Sequence, residues 1–427
     1  MKKFLVSLLF LLLTMPFSLA AAAGHIQDAA AVAGVSGGGQ QLTAVVLEYD
    51  AVIRNASLQP ADFAVTGAEI SRVYANTEAA QAAAGRDGRY VILELAVKPI
   101  SRVMGHDPAS GEHKAAPAGA MQGPQLGAPS GEPHVAKLFT AEAAQVKAIR
   151  TAAGAVYEGT ASLRTTHMLQ PVVDEFQTAV FTDAARGQAQ LMYNLYVPEG
   201  YDPAKKYPLV LFIHDAGVVG DNPRETLTQG LGAVVWAEPE EQAKHPCFVL
   251  APQYTRVIAD DNSQTTADMD VTIDLLRDLM KRYSIDANRL YDTGQSMGGM
   301  TSIAMDIKYP DVFAASLLVA CQWKPELTAP LAAMPLWIVV SAGDTKAHPG
   351  MDAITQVLRQ HGATVSEGLW QAEANPEVLA EEVRTMRRRH ASVNYTVFQG
   401  GNHPYTWQYA YSIAGIRDWL FEQTKKN

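Results

Sequence analysis

The chain has 427 residues, 48% of them hydrophobic and 18% charged, a balance that excludes a wholly disordered protein and leaves room for two or three domains. Lys and Arg number 34 against 44 Asp and Glu, a formal charge of -10; without a basic footprint to displace counterions, nucleic acid is excluded as a partner. The two cysteines, Cys247 and Cys321, are too few for a disulfide scaffold, a zinc ribbon or an iron–sulfur centre, and free thiols are expected.

Residues 1–23 read as a signal peptide. Met1-Lys-Lys3 is a short basic start, Phe4 to Leu13 is almost unbroken apolar sequence, and Ser18-Leu-Ala20 offers the small residues a signal peptidase requires. The apolar run is short of the ~20 residues of a membrane span, and Pro16 interrupts its end. The expectation is an exported protein, periplasmic or extracellular, with no membrane anchor.

A Gly/Ala-rich lead runs to about Gln40, and strands follow. Leu42 to Tyr49 and Arg89 to Val97 are β-branched and partly alternating, with weaker candidates at Glu69 to Tyr74, Gln145 to Ile149 and Ala155 to Leu163. Strands without helices between them predict a small all-β sandwich over 38–170. A Gly/Ala/Pro-rich insertion at about 100–137 interrupts it. From 171 to 427 the grammar changes. Leu191 to Val197 is a strand, and Pro208-Leu-Val-Leu-Phe-Ile213 is the fully apolar kind that a parallel sheet buries on both faces. Further strands fall at Cys247 to Ala251, Leu290 to Thr293, Ser316 to Ala320, Leu336 to Ser341 and Tyr395 to Phe398. Helices alternate with them at Asp268 to Tyr283 and Met297 to Tyr309, and a last helix is expected from about Tyr405 to Thr424. This alternation predicts an α/β domain with a doubly wound, mostly parallel sheet.

Gly294-Gln-Ser-Met-Gly298 sits between a predicted strand and a predicted helix, the context in which G-x-S-x-G exposes a serine on a sharp turn. Ser296 is thus a candidate nucleophile, and a hydroxyl near its ordinary pKa needs a base, which in turn needs an orienting carboxylate. Asp344 follows the strand ending at Ser341, and His403 follows the one ending at Phe398, the chain order Ser, acid, His. Asp352 is the alternative acid. His348 and His361 lie too close behind the acid to serve as the base. An acyl-transfer oxyanion needs two N–H donors: Met297 offers one and the loop His214-Asp-Ala-Gly217 the other, with Ala216 favoured and Asp215 the alternative. An anion at Asp215 has to point away or be held by a partner. Trp323, Tyr405 and Trp407 adjoin the predicted active-site loops, and Trp323 and Trp407 are candidate substrate contacts. Cys321 is either a site-lining residue or a small buried filler, and Arg387-Arg-Arg-His390 reads as a solvated helix face. No HExxH, P-loop, GxGxxG or EF-hand pattern occurs.

These residues resemble bacterial α/β-hydrolase esterases that carry an Ig-like N-terminal domain. The likeness rests on Tyr193-Asn-Leu-Tyr-Val-Pro198, Tyr207-Pro-Leu-Val-Leu-Phe-Ile-His214, Gly294-Gln-Ser-Met-Gly-Gly299, and Gly401-Asn-His403 followed by Trp407, Tyr411 and Trp419-Leu-Phe421. Val46-Leu-Glu-Tyr49 resembles the first strand of the Ig-like domain. The second half is also similar to polyhydroxybutyrate-depolymerase-like, feruloyl and acetylxylan esterases, a group often labelled predicted peptidases. The resemblance implies a serine carboxylesterase with Ser296, Asp344 and His403 as triad. The expected substrate is a short-chain or aromatic ester, small or polymer-linked, and no metal or organic cofactor is expected. A serine peptidase acting on small peptides and a non-catalytic binding protein are the alternatives. The Ig-like domain is a candidate surface for a homo-oligomer.

Overall fold

The computed structural model describes residues 24–97, 123–129 and 137–425. The expected leader and most of the Gly/Ala/Pro-rich insertion lie outside the described residues. The chain divides into two compact units, one from Met1–Ala31, Ala44–Ala96 and Thr140–His167, the other from Val32–Thr43, Val97–Phe139 and Met168–Asn427.

The N-terminal strands are β1 (Ile26–Ser36), β2 (Gly39–Ile53), β3 (Phe63–Val65), β4 (Ile70–Asn76), β5 (Gly88–Leu95), β6 (Glu142–Gln145), β7 (Ile149–Arg150), β8 (Val156–Tyr157), β9 (Leu163–Arg164) and β10 (His167–Leu169). They form a five-stranded sheet in the order β10-β1-β2-β5-β4 and a three-stranded one, β3-β6-β9, while β7 and β8 pair by themselves. Fully buried Tyr49 on β2 donates its hydroxyl to Gln145 on β6 at 2.9 Å, which ties the two larger sheets together. The Gly/Ala-rich lead is not a lead: it holds β1, with Ala29 to Ala33 all buried. Small side chains carry no visible apolar period but let backbones approach closely. Val46 to Tyr49 therefore belongs to the second strand of the sheet, not the first.

The remaining strands are β11 (Gln177–Asp183), β12 (Ala189–Tyr196), β13 (Tyr207–Ile213), β14 (Phe248–Gln253), β15 (Ile285–Gln295), β16 (Ala315–Val319), β17 (Leu336–Ser341), β18 (Val365–Trp370) and β19 (Val393–Phe398). They make one sheet in the order β11-β12-β14-β13-β15-β16-β17-β19-β18. Only β12 runs against the others; every pair from β14 to β18 is parallel. Helices α1 (Glu225–Thr228), α2 (Leu231–Val234) and α3 (Pro239–Lys244) separate β13 from β14, and α4 (Asp268–Arg282) separates β14 from β15. After them come α5 (Met297–Lys308), α6 (Ala347–Gln360), α7 (Pro376–Arg387), α8 (His403–Ala410) and α9 (Ala414–Phe421). This is the α/β-hydrolase arrangement, preceded by an Ig-like domain.

The apolar run of β13 is buried as its composition requires. Leu209, Leu211 and Ile213 enter one core while Val210 and Phe212 enter the other, on opposite faces of the sheet. Helix α4 adds Met269, Ile273, Leu276 and Leu279 to the first core. The expected last helix is two helices, α8 and α9. Between them the Ser412 hydroxyl bonds the Tyr409 carbonyl at 2.7 Å and the Arg417 guanidinium bonds that of Tyr411 at 2.6 Å, so side chains satisfy carbonyls that a continuous helix would pair internally. Among the described residues no helix is long and apolar enough to cross a membrane.

Candidate active site

Strand β15 ends at Gln295 and α5 begins at Met297, leaving Ser296 alone at the corner with φ 53° and ψ -119°. A non-glycine residue there stores strain, and such strain persists only where the surroundings enforce it. They do so by close approach. A Cβ on Gly294 would lie 2.3 Å from the carbonyl carbon of Gly298, and one on Gly298 would lie 1.9 Å from the carbonyl oxygen of Ile213. Only glycine lets β13, β15 and α5 converge this tightly.

His403 opens α8, and the Asn402 side chain caps that helix by accepting the Tyr405 N–H at 3.2 Å. Its Nε2 lies 2.8 Å from Ser296 Oγ and its Nδ1 lies 2.5 Å from Asp344 Oδ2. An ionised carboxylate only accepts, so Nδ1 carries the proton and donates; neutral Nε2 then accepts from the serine hydroxyl. The other Asp344 oxygen accepts the N–H groups of Lys346 at 3.1 Å and Ala347 at 3.0 Å. Burial alone would raise the Asp344 carboxyl. The hydrogen bond from His403 and the two backbone donors outweigh burial and hold it below the usual carboxylate range.

The structure thus brings together Ser296, His403 and Asp344. It leaves out Asp352, whose carboxylate accepts the Tyr395 hydroxyl at 2.7 Å and lies 3.7 Å from His348. Trp407 stands edge-on to His403, ring centroids 5.0 Å apart, and is 6% exposed. Trp323 is 7% exposed and packs into the first core, so it presents little surface to a ligand. Both cysteines are free and buried. Cys321 is a packing residue: a Cβ on Gly299 would meet its Sγ at 2.6 Å. In the basic run, Arg387 pairs with Glu422 and Arg388 with Glu381, while Arg389 donates to the Glu367 carbonyl.

In the loop after β13, Asp215 caps the short 3₁₀ turn Ala216–Val218 and is held by Gln295, the residue before the nucleophile candidate. The sequence flagged the aspartate but did not reveal its partner. The signal was available in the glutamine at the first variable position of Gly294-Gln-Ser-Met-Gly298. Among the described residues, Glu241, His245 and Asp418 approach closely enough to suggest a metal site. His245 is bonded to Asp418 at 2.8 Å and Arg417 to Glu241 Oε2 at 2.8 Å, while Glu241 Oε1 has no partner among the described residues.

A family model for the esterase Ig-like N-terminal domain matches residues 28–158, and the Esterase family model matches residues 186–420, more than half of the chain. The chain belongs to the esterase family. This makes it a hydrolase of carboxylic esters. No curated protein matches the esterase. Its fold is similar to that of a thermostable esterase solved by crystallography, with 24% identity and a TM-score of 0.74 over 94% of this chain and 100% of the other. The feruloyl esterase module from Clostridium thermocellum complexed with sinapinate shares 15% identity over 59% of this chain and 89% of its own, at a TM-score of 0.43. A ferulic acid esterase from Anaeromyces mucronatus shares 16% over 58% and 90%, at 0.38.

Proposed function

We propose that the esterase works through a covalent acyl-enzyme on Ser296, with His403 as general base and acid and Asp344 as the group that orients it. The observation that carries this reading is the unbroken relay from Ser296 Oγ to His403 Nε2 at 2.8 Å and from His403 Nδ1 to Asp344 at 2.5 Å. His403 takes the serine proton as Oγ attacks the ester carbonyl, then returns it to the leaving alcohol. Water repeats the sequence and releases the acid. The oxyanion binds the N–H of Met297, which as the first residue of α5 has no intrahelical acceptor, and that of Ala216. Gly217 is unsuited to the second role because its N–H is already bonded to Asp215 at 2.7 Å.

Short-chain or aromatic esters are the proposed substrates; Trp407, buried and perpendicular to His403 with ring centroids 5.0 Å apart, backs the imidazole and offers a ligand as little surface as Trp323. The basic start, apolar run and small residues of 1–23 support export to the periplasm or beyond; N-terminal sequencing of the mature protein tests it. A p-nitrophenyl ester series run beside small peptide substrates tests the chemistry. Turnover confined to esters, with fluorophosphonate labelling at Ser296, is expected. Peptide turnover without ester turnover, or an unlabelled Ser296 in folded protein, overturns the proposal.

A further inference from the structure

A carboxylate next to an oxyanion site opposes catalysis unless its charge is directed elsewhere, and Asp215 is such a carboxylate. It is 8% exposed, and no ion pair reaches it among the described residues. Both oxygens are engaged. Oδ1 accepts the Gly217 N–H at 2.7 Å, and Oδ2 accepts the side-chain amide of Gln295 at 2.9 Å. Gln295 is fully buried, and the same amide nitrogen donates to Gln229 Oε1 at 3.1 Å. The negative charge is therefore met by two neutral donors on the side of the loop that faces the protein.

The backbone of the loop is held as well. His214 Nε2 accepts the Tyr254 N–H at 3.0 Å, so its ring proton resides on Nδ1, which donates to the Asp215 carbonyl at 2.7 Å. The peptide that joins Asp215 to Ala216 is planar, with its C=O and N–H pointing in opposite directions. Fixing the Asp215 carbonyl on His214 therefore aims the Ala216 N–H the other way. Across from the loop, Gly298 lies against the carbonyls of Ile213 and His214, so the loop meets the nucleophile turn along both backbone and side chains.

We propose that Asp215 and Gln295 form a positioning pair, which fastens the oxyanion loop to the residue before the nucleophile and holds the Ala216 N–H where charge develops. The inference rests on Ser296 being the nucleophile. A donor already in place needs no reorganisation as the oxyanion forms, so loosening the pair lowers kcat and leaves KM nearly unchanged.

The test is an exchange of partners in the full-length protein, assayed on p-nitrophenyl acetate. Asp215→Asn leaves one acceptor for two donors, so its new N–H₂ is set against either the Gln295 amide or the Gly217 N–H, and Gln295→Glu sets two carboxylates against each other. Each is expected to lower kcat about 10- to 100-fold with KM within about threefold, less than the roughly 10²- to 10³-fold of removing an oxyanion donor outright because the Ala216 N–H is displaced and not lost. The double variant Asp215→Asn/Gln295→Glu restores a donor–acceptor pair and is expected to recover kcat to within about threefold of the parent. An Asp215→Asn variant with parental kcat, or a double variant no faster than the slower single, overturns the pair. If a single variant does not fold, the double alone decides: parental-like kcat supports the pair and a loss of tenfold or more overturns it. Ser296→Ala alongside separates the two failures. An active Ser296→Ala overturns the nucleophile assignment, whereas an inactive one together with a fully active Asp215→Asn overturns only the pair.

Discussion

Two sets of buried carboxyls, one joined through His403 to Ser296 at the start of α5 and one around Asp306 toward its end, live under opposite rules. In the first, Asp344 is almost fully buried yet held below the usual carboxylate range, because His403 and two backbone N–H groups meet its charge. In the second, Asp306 on α5 and Asp292 on β15 are also buried, and the Ser316 hydroxyl lies between them. No cation joins them among the described residues, and Asp306 Oδ1 has no partner there. Burial pushes the Asp292 carboxyl up to about 6, and burial together with the nearby Asp292 charge pushes Asp306 well above its ordinary value. Proton counting agrees. The Ser316 hydroxyl has one hydrogen and touches both carboxyls, so a second hydrogen must come from one of the acids. Burial alone does not decide whether a carboxyl is charged; the donors around it do.

The largest break in this comparison is at the helix start. Ser296→Ala is expected to reduce ester turnover by about 10⁴-fold or more, leaving only what binding and the oxyanion donors supply; steady-state rates measure it. Asp344→Asn should cost about 10³- to 10⁴-fold in kcat by favouring the wrong tautomer of His403, with the fold retained by circular dichroism. Gly298→Ala drives a methyl into the Ile213 carbonyl and should destabilise the protein by about 2–4 kcal/mol, read as a lower denaturation midpoint.

The same Asp→Asn change at Asp306 should act in the opposite sense. A raised carboxyl favours folding while both states are protonated. That contribution is lost as pH climbs from the ordinary aspartate value of 3.8 through the raised folded value of Asp306. Asp306→Asn keeps a neutral side chain there at all pH, so it should stabilise the protein near pH 7 on the order of 1 kcal/mol. The advantage should fade below about pH 4, and thermal melts across pH read it directly. Asp352→Asn marks the low end: it lies outside the relay, and kcat should change less than about twofold.

The three residues of the proposed triad could be picked out because they stand just beyond strands whose apolar runs identify themselves, with glycines that announce tight turns at Gly294 and Gly298. Less could be read where composition hides geometry. Strand β1 is built largely of Ala, whose small side chains show no alternation, and edge strand β18 mixes Ser366, Glu367 and Gly368 into its run. The break between α8 and α9 depends on Arg417 reaching back to the Tyr411 carbonyl, a contact that no local pattern encodes. The partner of Asp215 lies 80 residues away at Gln295, so the sequence showed a misplaced charge without showing what restrains it.

The thiol of Cys321 lies against Gly299, directly behind the serine turn, fully buried and with its pKa pushed up by that burial. It can react only when α5 and the sheet part far enough to admit a reagent and let it ionise. The esterase therefore carries an internal clock: the rate at which Cys321 takes up a thiol reagent counts the openings of the segment on which Ser296 is mounted. A bound acyl group that steadies that segment would slow the clock without touching the sulfur.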